Sequence, residues 1–258
     1  MTAPATNRAT NRDTARGTSW HPDQGLLPRG TLVLLPGRGE HPGVYERFGR
    51  RLAADAYVVH VLDTAGPDQR AAVAEIARLA GGAPVPLVLA GSDTGALRAL
   101  AAAADPSLRI DALLLAGTAL ADDGTSITDW EGELTARTAC PTHRGRLDAD
   151  PGFDRGSLAE PVPASITRAA DRAARQLGDL PVLLIHGDAD TVSPVAEARR
   201  LASALPGAVL ATVTGGRHDA LNDISHRSVA ATVVQWLERL RGGPGSPAVV
   251  TLSTAERP

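Results

Sequence analysis

The sequence has 258 residues, of which 43% are hydrophobic and 21% charged, a composition typical of a single globular domain. All 26 basic residues are arginine and they face 29 acidic residues, so the formal net charge of −3 gives no basic excess for binding nucleic acid or anionic membranes. A single cysteine, Cys140, excludes an intrachain disulfide and favours a reducing compartment.

The two ends of the chain are expected to be tails. Residues 1–17 are small and polar without the apolar stretch of a secretory signal, and residues 242–258 are rich in Gly, Pro, Ser and Thr. No apolar run approaches the roughly 18 residues of a membrane span. The sequence therefore predicts a cytoplasmic protein without integral membrane association.

Short apolar runs alternate with segments of helical periodicity along the rest of the chain. The predicted strands are Thr31–Pro36, Tyr57–Leu62, Leu87–Ala90, Ala112–Ala116, Val182–His186 and Val209–Val213. The predicted helices are Val44–Ala54, Gln69–Ala80, Gly95–Ala104, Val195–Ala204 and Ser225–Arg241. Strands that are apolar on both faces and alternate with helices predict an α/β fold with a doubly wound, mostly parallel sheet.

One long stretch interrupts this alternation. Residues 118–178 contain no strand-like run and favour helices, so we expect a helical lid inserted into a core formed by residues 18–117 and 179–241. In doubly wound folds, ligands bind at the carboxyl ends of the strands, which such a lid would cover. Trp130 and His143 are the lid side chains expected to contact a small-molecule substrate.

The most informative segment is Leu87–Leu100, where an apolar strand leads through Gly91-Ser92-Asp93-Thr94-Gly95 directly into a helix. This layout is typical of a nucleophile elbow. A glycine is needed on each side of the central residue because a Cβ there would collide with the neighbouring strand and helix. The central residue of this elbow is Asp93.

With this elbow, the chain resembles the α/β-hydrolase superfamily from about Arg29 to Arg241. The segment after Thr31–Pro36, Gly37-Arg38-Gly39-Glu40-His41, is similar to the oxyanion-hole loop of monoacylglycerol lipases and related lysophospholipases, although Pro36 replaces their usual histidine. The resemblance implies that the backbone N–H groups of Arg38 and Thr94 form an oxyanion hole.

The same resemblance places two further residues at strand ends. Asp190, in Gly187-Asp188-Ala189-Asp190, matches the position of the family's acid, and His218 matches its histidine. Nucleophile, acid and histidine follow in the chain order that this fold uses. Asp188 competes with Asp190, and either could instead be a turn residue that bonds its own backbone.

An aspartate at the elbow changes the expected chemistry. A carboxylate that attacks an ester carbonyl is itself the better leaving group, so the reaction tends to reverse. It can instead displace a leaving group from a saturated carbon, forming an alkyl ester that His218, oriented by Asp190, hydrolyses with water. Epoxide hydrolases and haloalkane dehalogenases, which the elbow resembles, work in this way. The predicted function is hydrolysis of a small, largely apolar substrate by Asp93, His218 and Asp190.

Several alternatives stay open from the sequence. Ser92 could be an esterase nucleophile, Asp93 and His218 could jointly activate water, or Asp93 could simply cap the following helix. The protein could also bind a ligand without catalysis, or catalyse a non-hydrolytic reaction that this fold is known to host. Cys140 is interpreted as a small buried residue. No metal or other cofactor is expected, because no cluster has metal-ligand spacing, and the oligomeric state is not predicted.

Overall fold

The computed structural model describes residues 11–14, 17–63, 68–120, 127–243, 246–247 and 250. In these described residues, eight strands form a single sheet. They are β1 (Asn11–Thr14), β2 (Gly17–Trp20), β3 (Gly30–Leu35), β4 (Tyr57–Leu62), β5 (Leu87–Ser92), β6 (Ala112–Ala116), β7 (Val182–Gly187) and β8 (Ala208–Val213). All six predicted strands are present, with bounds that differ by no more than two residues.

Within the part of the chain that the structure describes, eight α-helices surround the sheet, and the five predicted ones are among them. They are α1 (Glu46–Ala54), α2 (Gln69–Ala80), α3 (Thr94–Ala103), α4 (Trp130–Arg137), α5 (Pro141–Ala149), α6 (Ala164–Ala174), α7 (Val195–Ala204) and α8 (His226–Arg241). Two 3₁₀ turns, Pro42–Tyr45 and Ser157–Ala159, lie before α1 and α6. The first replaces the opening turn of the predicted helix Val44–Ala54, because Pro42 favours a tight turn at that point.

The strand order is β1-β2-β4-β3-β5-β6-β7-β8. From β4 to β8 all neighbouring strands are parallel, whereas β1 and β2 pair antiparallel at one edge. The predicted doubly wound, mostly parallel sheet is confirmed. Because the central strands are parallel, the loops that follow β3, β5, β7 and β8 all emerge at the same edge of the sheet.

Apolar side chains pack on both faces of the sheet, as the sequence pattern requires. Leu32 and Leu34 of β3 point into a core shared with α1 and α8, while Val33 and Leu35 point into a core shared with α2, α3 and α6. All four side chains are fully buried. Each face is thus closed by helices that present their own apolar stripe to it.

The N-terminal region contains more structure than the predicted tail. Trp20 ends strand β2 and is buried in the core, and Asn11–Thr14, which lies within the predicted tail 1–17, pairs antiparallel with β2. Residues 1–10 and 15–16 and most of the predicted tail 242–258 lie outside the described residues.

The insertion between β6 and β7 is helical, and no strand occurs in its described residues, 118–120 and 127–178. Its helices differ in their surroundings. Leu134 of α4 and Leu147 of α5 join the core on the side of α1 and α8, whereas Ala170 and Ala173 of α6 join the opposite core beside α3. Helix α6 therefore belongs to the layer that flanks the sheet. None of the described helices is long and apolar enough to cross a membrane.

Candidate active site

Four loops at the carboxyl edge of the sheet bring Arg38, Asp93, Asp190 and His218 together. Arg38 follows β3, Asp93 follows β5, Asp190 follows β7 and His218 follows β8. The side chains of Asp93, Asp190 and His218 are almost completely buried, and that of Arg38 is 12% exposed. Residues 180 positions apart in the sequence thus form one compact polar site.

Asp93 occupies the tip of a tight strand-to-helix turn, with φ of 50° and ψ of −123°. A side chain in this left-handed region is strained, as is typical of a functional elbow. A Cβ on Gly91 would overlap the backbone of Gly95, and a Cβ on Gly95 would overlap the carbonyl oxygens of Leu35 and Pro36. The glycine requirement inferred from the sequence is therefore present in the structure.

The carboxylate of Asp93 does not cap the helix that it precedes. Instead, its Oδ1 lies 3.1 Å from Nε2 of His218, whose Nδ1 lies 2.8 Å from Oδ2 of Asp190. The structure thus places the three predicted catalytic residues in one chain of hydrogen bonds. Ser92 is buried as well, but its hydroxyl bonds to the side chain of Tyr45.

Asp190 is fixed by its own loop. Its Oδ1 accepts hydrogen bonds from the N–H groups of Val192 and Ser193, at 2.8 and 3.0 Å, and its Oδ2 lies 3.1 Å from Nε2 of His186. The competing Asp188 is exposed and accepts a hydrogen bond from the N–H of Gly215, so it is the turn residue of the pair.

Arg38 contacts Asp93 through its backbone and its side chain. The backbone N–H donates to Oδ2 at 2.8 Å, which is the direction expected of an oxyanion-hole donor. The guanidinium adds a fork, with Nε 2.9 Å from Oδ2 and Nη2 2.8 Å from Oδ1. Its remaining nitrogen, Nη1, donates to the carbonyls of Leu158 and Glu160 in the insertion. Thr94 begins α3, so its N–H is one of the free amides at that helix terminus.

These contacts set the charges of the site. Burial alone would raise the pKa of Asp93, but His218 and Arg38 outweigh it and hold that pKa well below its usual range. Burial would lower the pKa of His218, but Asp190 and Asp93 outweigh it and raise the pKa to about 10. The resting site therefore alternates in sign, from the Arg38 cation through the Asp93 anion and the His218 cation to the Asp190 anion.

A second buried cluster, which the sequence analysis missed, surrounds Arg137 at the end of α4. The guanidinium is fully buried and bonds to Glu133 of the same helix at 2.9 Å, to Asp219 at 3.4 Å and to the carbonyl of Arg38 at 2.8 Å. The N–H of Asp219 bonds in turn to the carbonyl of Arg137. Because Asp219 directly follows His218, this cluster joins the insertion to the loop that carries Arg38 and to the loop that carries His218.

Glu40 links the same cluster to the loop after β3. Its carboxylate accepts hydrogen bonds from the N–H of Gly37 at 2.8 Å and from the hydroxyl of Tyr45, and it lies 4.0 Å from Arg137. Burial and the neighbouring Asp219 raise the pKa of Glu40 to about 6, against the opposing effect of Arg137. The loop that carries Arg38 is therefore anchored by the buried carboxylate of Glu40.

The two predicted substrate contacts lie away from this chain of hydrogen bonds. Trp130 donates from Nε1 to Asp148 at 2.9 Å and packs against Phe153 within the insertion. His143 is buried and lies 3.0 Å from Oδ2 of Asp219. Among the described residues, no group of three His, Cys, Asp or Glu side chains is arranged to hold a metal ion.

The sequence model of the serine aminopeptidase S33 family (Hydrolase_4) matches residues 67–225, more than half of the chain. The chain belongs to this family of hydrolases. It is also similar to the monoacylglycerol lipase of Mycolicibacterium smegmatis, with 28% identity over 84% of this chain and 90% of that protein.

Solved structures share the fold of this hydrolase. The monoacylglycerol lipase of Paleococcus ferrophilus superposes with a TM-score of 0.64 at 21% identity, covering 82% of this chain and 95% of that one. A soluble variant of the Saccharomyces cerevisiae monoglyceride lipase, in complex with a substrate analog, gives a TM-score of 0.67 at 17% identity, covering 91% and 96%. The family name refers to a serine, whereas the tip of the elbow in this hydrolase is Asp93.

Proposed function

We propose that this hydrolase cleaves a bond between a saturated carbon and a leaving group, with Asp93 as nucleophile and His218, oriented by Asp190, as base. The observation that carries the proposal is the hydrogen-bonded chain from Asp93 through His218 to Asp190, with Asp93 at the tip of the strained elbow. Ser92 is not a member of this chain, and its hydroxyl bonds to the side chain of Tyr45.

The first half-reaction follows from the charge of Asp93. Its depressed pKa keeps the carboxylate ionised, as an attacking oxygen must be. One carboxylate oxygen forms a bond to the substrate carbon while the leaving group departs with the electron pair of the broken bond. The product is an alkyl ester of Asp93, and the backbone N–H of Arg38 remains on Oδ2.

The second half-reaction requires His218 to change its role. In the resting site its imidazole is protonated, because two carboxylates raise its pKa to about 10. Formation of the ester neutralises Asp93 and removes one of these two anions, so the pKa of His218 falls and the ring loses its proton to solvent. Neutral His218 then takes a proton from water, which attacks the ester carbonyl. The protonated ring gives that proton to the departing alkoxide, which leaves as the alcohol. Asp93 is left as a carboxylic acid, and its proton passes to His218, which restores the resting charges.

The oxyanion formed on Asp93 in that step needs donors that are already in place. The N–H of Arg38 points at Oδ2 in the resting structure, and the free N–H of Thr94 at the start of α3 supplies the second donor in this mechanism. We further propose that the part of the insertion from residue 127 to Ala159 serves as the lid, since α6 belongs to the core.

Two experiments test the proposal: trapping the alkyl ester on Asp93, and following isotopically labelled oxygen from water. In H₂¹⁸O under single-turnover conditions, attack by Asp93 places ¹⁸O in the Asp93 carboxylate, whereas direct activation of water places it in the product. A panel of alkyl halides, epoxides and activated esters is incubated with the His218→Ala protein, and intact mass with peptide mapping locates any adduct. His218→Ala removes the base and should leave an alkyl adduct on Asp93.

Three results would contradict the proposal: an acyl adduct on Ser92, label only in the product, or no adduct from any class of substrate. Asp93→Asn in the same panel is the matched control, since it keeps the size of the side chain and removes the nucleophile. It should form no adduct.

A further inference from the structure

We infer that the substrate of this site carries a carboxylate close to the reacting carbon and that the guanidinium of Arg38 binds it. The inference rests on the proposed function and deepens it by naming a substrate class. It also revises the expectation of a largely apolar substrate, because the site itself is built around a cation.

The geometry of Arg38 is that of carboxylate recognition. Nε and Nη2 donate one hydrogen bond each to the two oxygens of Asp93, at 2.9 and 2.8 Å. This fork matches a planar carboxylate in shape as well as in charge. A carboxylate on the substrate has the same shape and charge as that of Asp93. It can take over the fork and thereby free Oδ1 of Asp93 for attack.

The guanidinium is held in place independently of Asp93. Nη1 donates to the carbonyl oxygens of Leu158 and Glu160, at 3.1 and 2.6 Å, both in the insertion above the elbow. With one nitrogen fixed in this way, the other two keep their direction when the anion that they bind is exchanged. The binding group for the substrate is thus already oriented in the resting protein.

The charge balance during the reaction gives the stronger argument. When the ester forms, Asp93 becomes neutral and Arg38 loses the carboxylate that it contacts among the described residues. The Arg38 side chain is only 12% exposed, and leaving a nearly buried cation without a partner is strongly unfavourable. An anionic leaving group cannot remain as the new partner of Arg38, because it diffuses out of the site. A carboxylate on the alkyl group can, because the ester bond keeps it beside Arg38 until hydrolysis.

The test compares two substrates that differ in one charge. Turnover of 2-chloropropionate and of its neutral analogue 2-chloropropionamide is measured with the wild-type protein and with three variants. These are Arg38→Gln, Arg38→Lys and Arg146→Gln. Arg146 is half exposed on α5 and serves as the control. We expect kcat/KM of the wild type and of Arg146→Gln to be at least about 100-fold higher for 2-chloropropionate than for the amide. The reason is that the neutral amide leaves the buried guanidinium donors of Arg38 without an anionic partner.

In Arg38→Gln the same ratio should fall below about 10, with Arg38→Lys in between because it keeps the charge and loses the fork. Unfolding curves show whether each variant is folded, and Arg38→Lys keeps the test informative if Arg38→Gln is not. Equal turnover of both substrates by the wild type, or an unchanged ratio in both Arg38 variants, would overturn the inference.

A binding measurement separates this inference from the proposed function. Propionate, which has no leaving group, is titrated into the wild-type protein and the Arg38 variants while the ring nitrogens of ¹⁵N-labelled His218 are followed by NMR. We expect saturable binding to the wild type, with a change at His218 as Asp93 is released, and weaker binding to both variants. No binding to the wild type overturns the inference even where alkyl adducts form on Asp93. Binding of propionate without formation of adducts refutes only the attack by Asp93 and leaves the carboxylate site in place.

Discussion

Arg137 has the largest buried charged side chain of the structure's described part, and its environment explains how a cation is tolerated there. Burial opposes its charge, but Asp219, Glu40 and Glu133 outweigh this and raise the pKa of the guanidinium further. The cation and its anions therefore stabilise one another. Removing one member leaves the others uncompensated in the interior.

Replacement of Arg137 by methionine should consequently destabilise the protein strongly. We expect a loss of about 3 to 5 kcal/mol in the free energy of unfolding, measured by urea denaturation, because buried Glu133 and Asp219 lose their cation. The matched control is Arg51→Met, which removes an exposed arginine paired with Asp55, the residue that follows α1. Its effect should stay within about 0.5 kcal/mol. Similar losses in both variants would contradict the structural role of the cluster.

The two arginines near the site show why only part of it could be predicted from the sequence. Asp93, Asp190 and His218 follow strands at glycine-containing turns, and their spacing along the chain matches a known pattern. The side chain of Arg38 gives no such signal, since an arginine between two glycines fits any exposed loop. Glu133 and Arg137 are four residues apart, a spacing that usually indicates a surface ion pair on a helix.

At the scale of elements, the elbow between β5 and α3 is packed so closely that it leaves no room for a Cβ at Gly95. Gly95→Ala should destabilise the protein by more than about 2 kcal/mol, because its Cβ would overlap backbone carbonyls that cannot move independently of β3. Gly145→Ala is the control, since nothing lies within 4 Å of a Cβ there and the position is exposed within α5. It should stabilise by about 0.5 to 1 kcal/mol.

Thermal or urea unfolding of the two glycine variants checks these opposite signs. A neutral Gly95→Ala would mean that the elbow is looser than the structure shows. Equal destabilisation by both substitutions would mean that the cost comes from helix geometry in general rather than from the close approach of α3 to β3.

The accuracy of the predicted elements also has a physical origin. Strands β3, β5, β6 and β7 are buried on both faces, so each appears in the sequence as a short continuous apolar run with clear ends. The edge strand β8 is partly exposed but keeps an apolar sequence. Strand β1 has no such run, because it pairs only at the edge of the sheet and its sequence, Asn-Arg-Asp-Thr, is polar. The position of α6 in the core could not be predicted either. Its alanines pack against α3, which is distant in the sequence, and a local sequence pattern does not reveal such contacts.

At the scale of the whole molecule, the raised pKa of His218 makes stability depend on pH. The unfolded chain has a histidine pKa of about 6.5, whereas the folded one has a pKa of about 10, so the folded state binds one more proton between these values. The stabilisation is complete below pH 6.5 and is lost as the pH rises towards 10. The free energy of unfolding should fall by about 1.4 kcal/mol per pH unit in this window.

Urea unfolding at pH 7, 7.5, 8 and 8.5 measures this slope. The His218→Gln protein is the control, because it keeps a polar side chain of similar size that does not titrate. We expect its free energy of unfolding to be nearly constant over the same range. An equally steep decline in both proteins would assign the slope to other groups and refute the protonated state of His218.

The parallel arrangement of the sheet determines how the site is assembled during folding. Arg38, Asp93, Asp190 and His218 follow the parallel strands β3, β5, β7 and β8, and the chain from the first of these strands to the last includes six of the eight described strands. No contiguous fragment shorter than this span contains all four groups. Catalytic activity should therefore appear only after β8 has paired with β7 and His218 has reached the other three groups. Recovery of turnover during refolding then reports completion of the native strand order and not the collapse of the core.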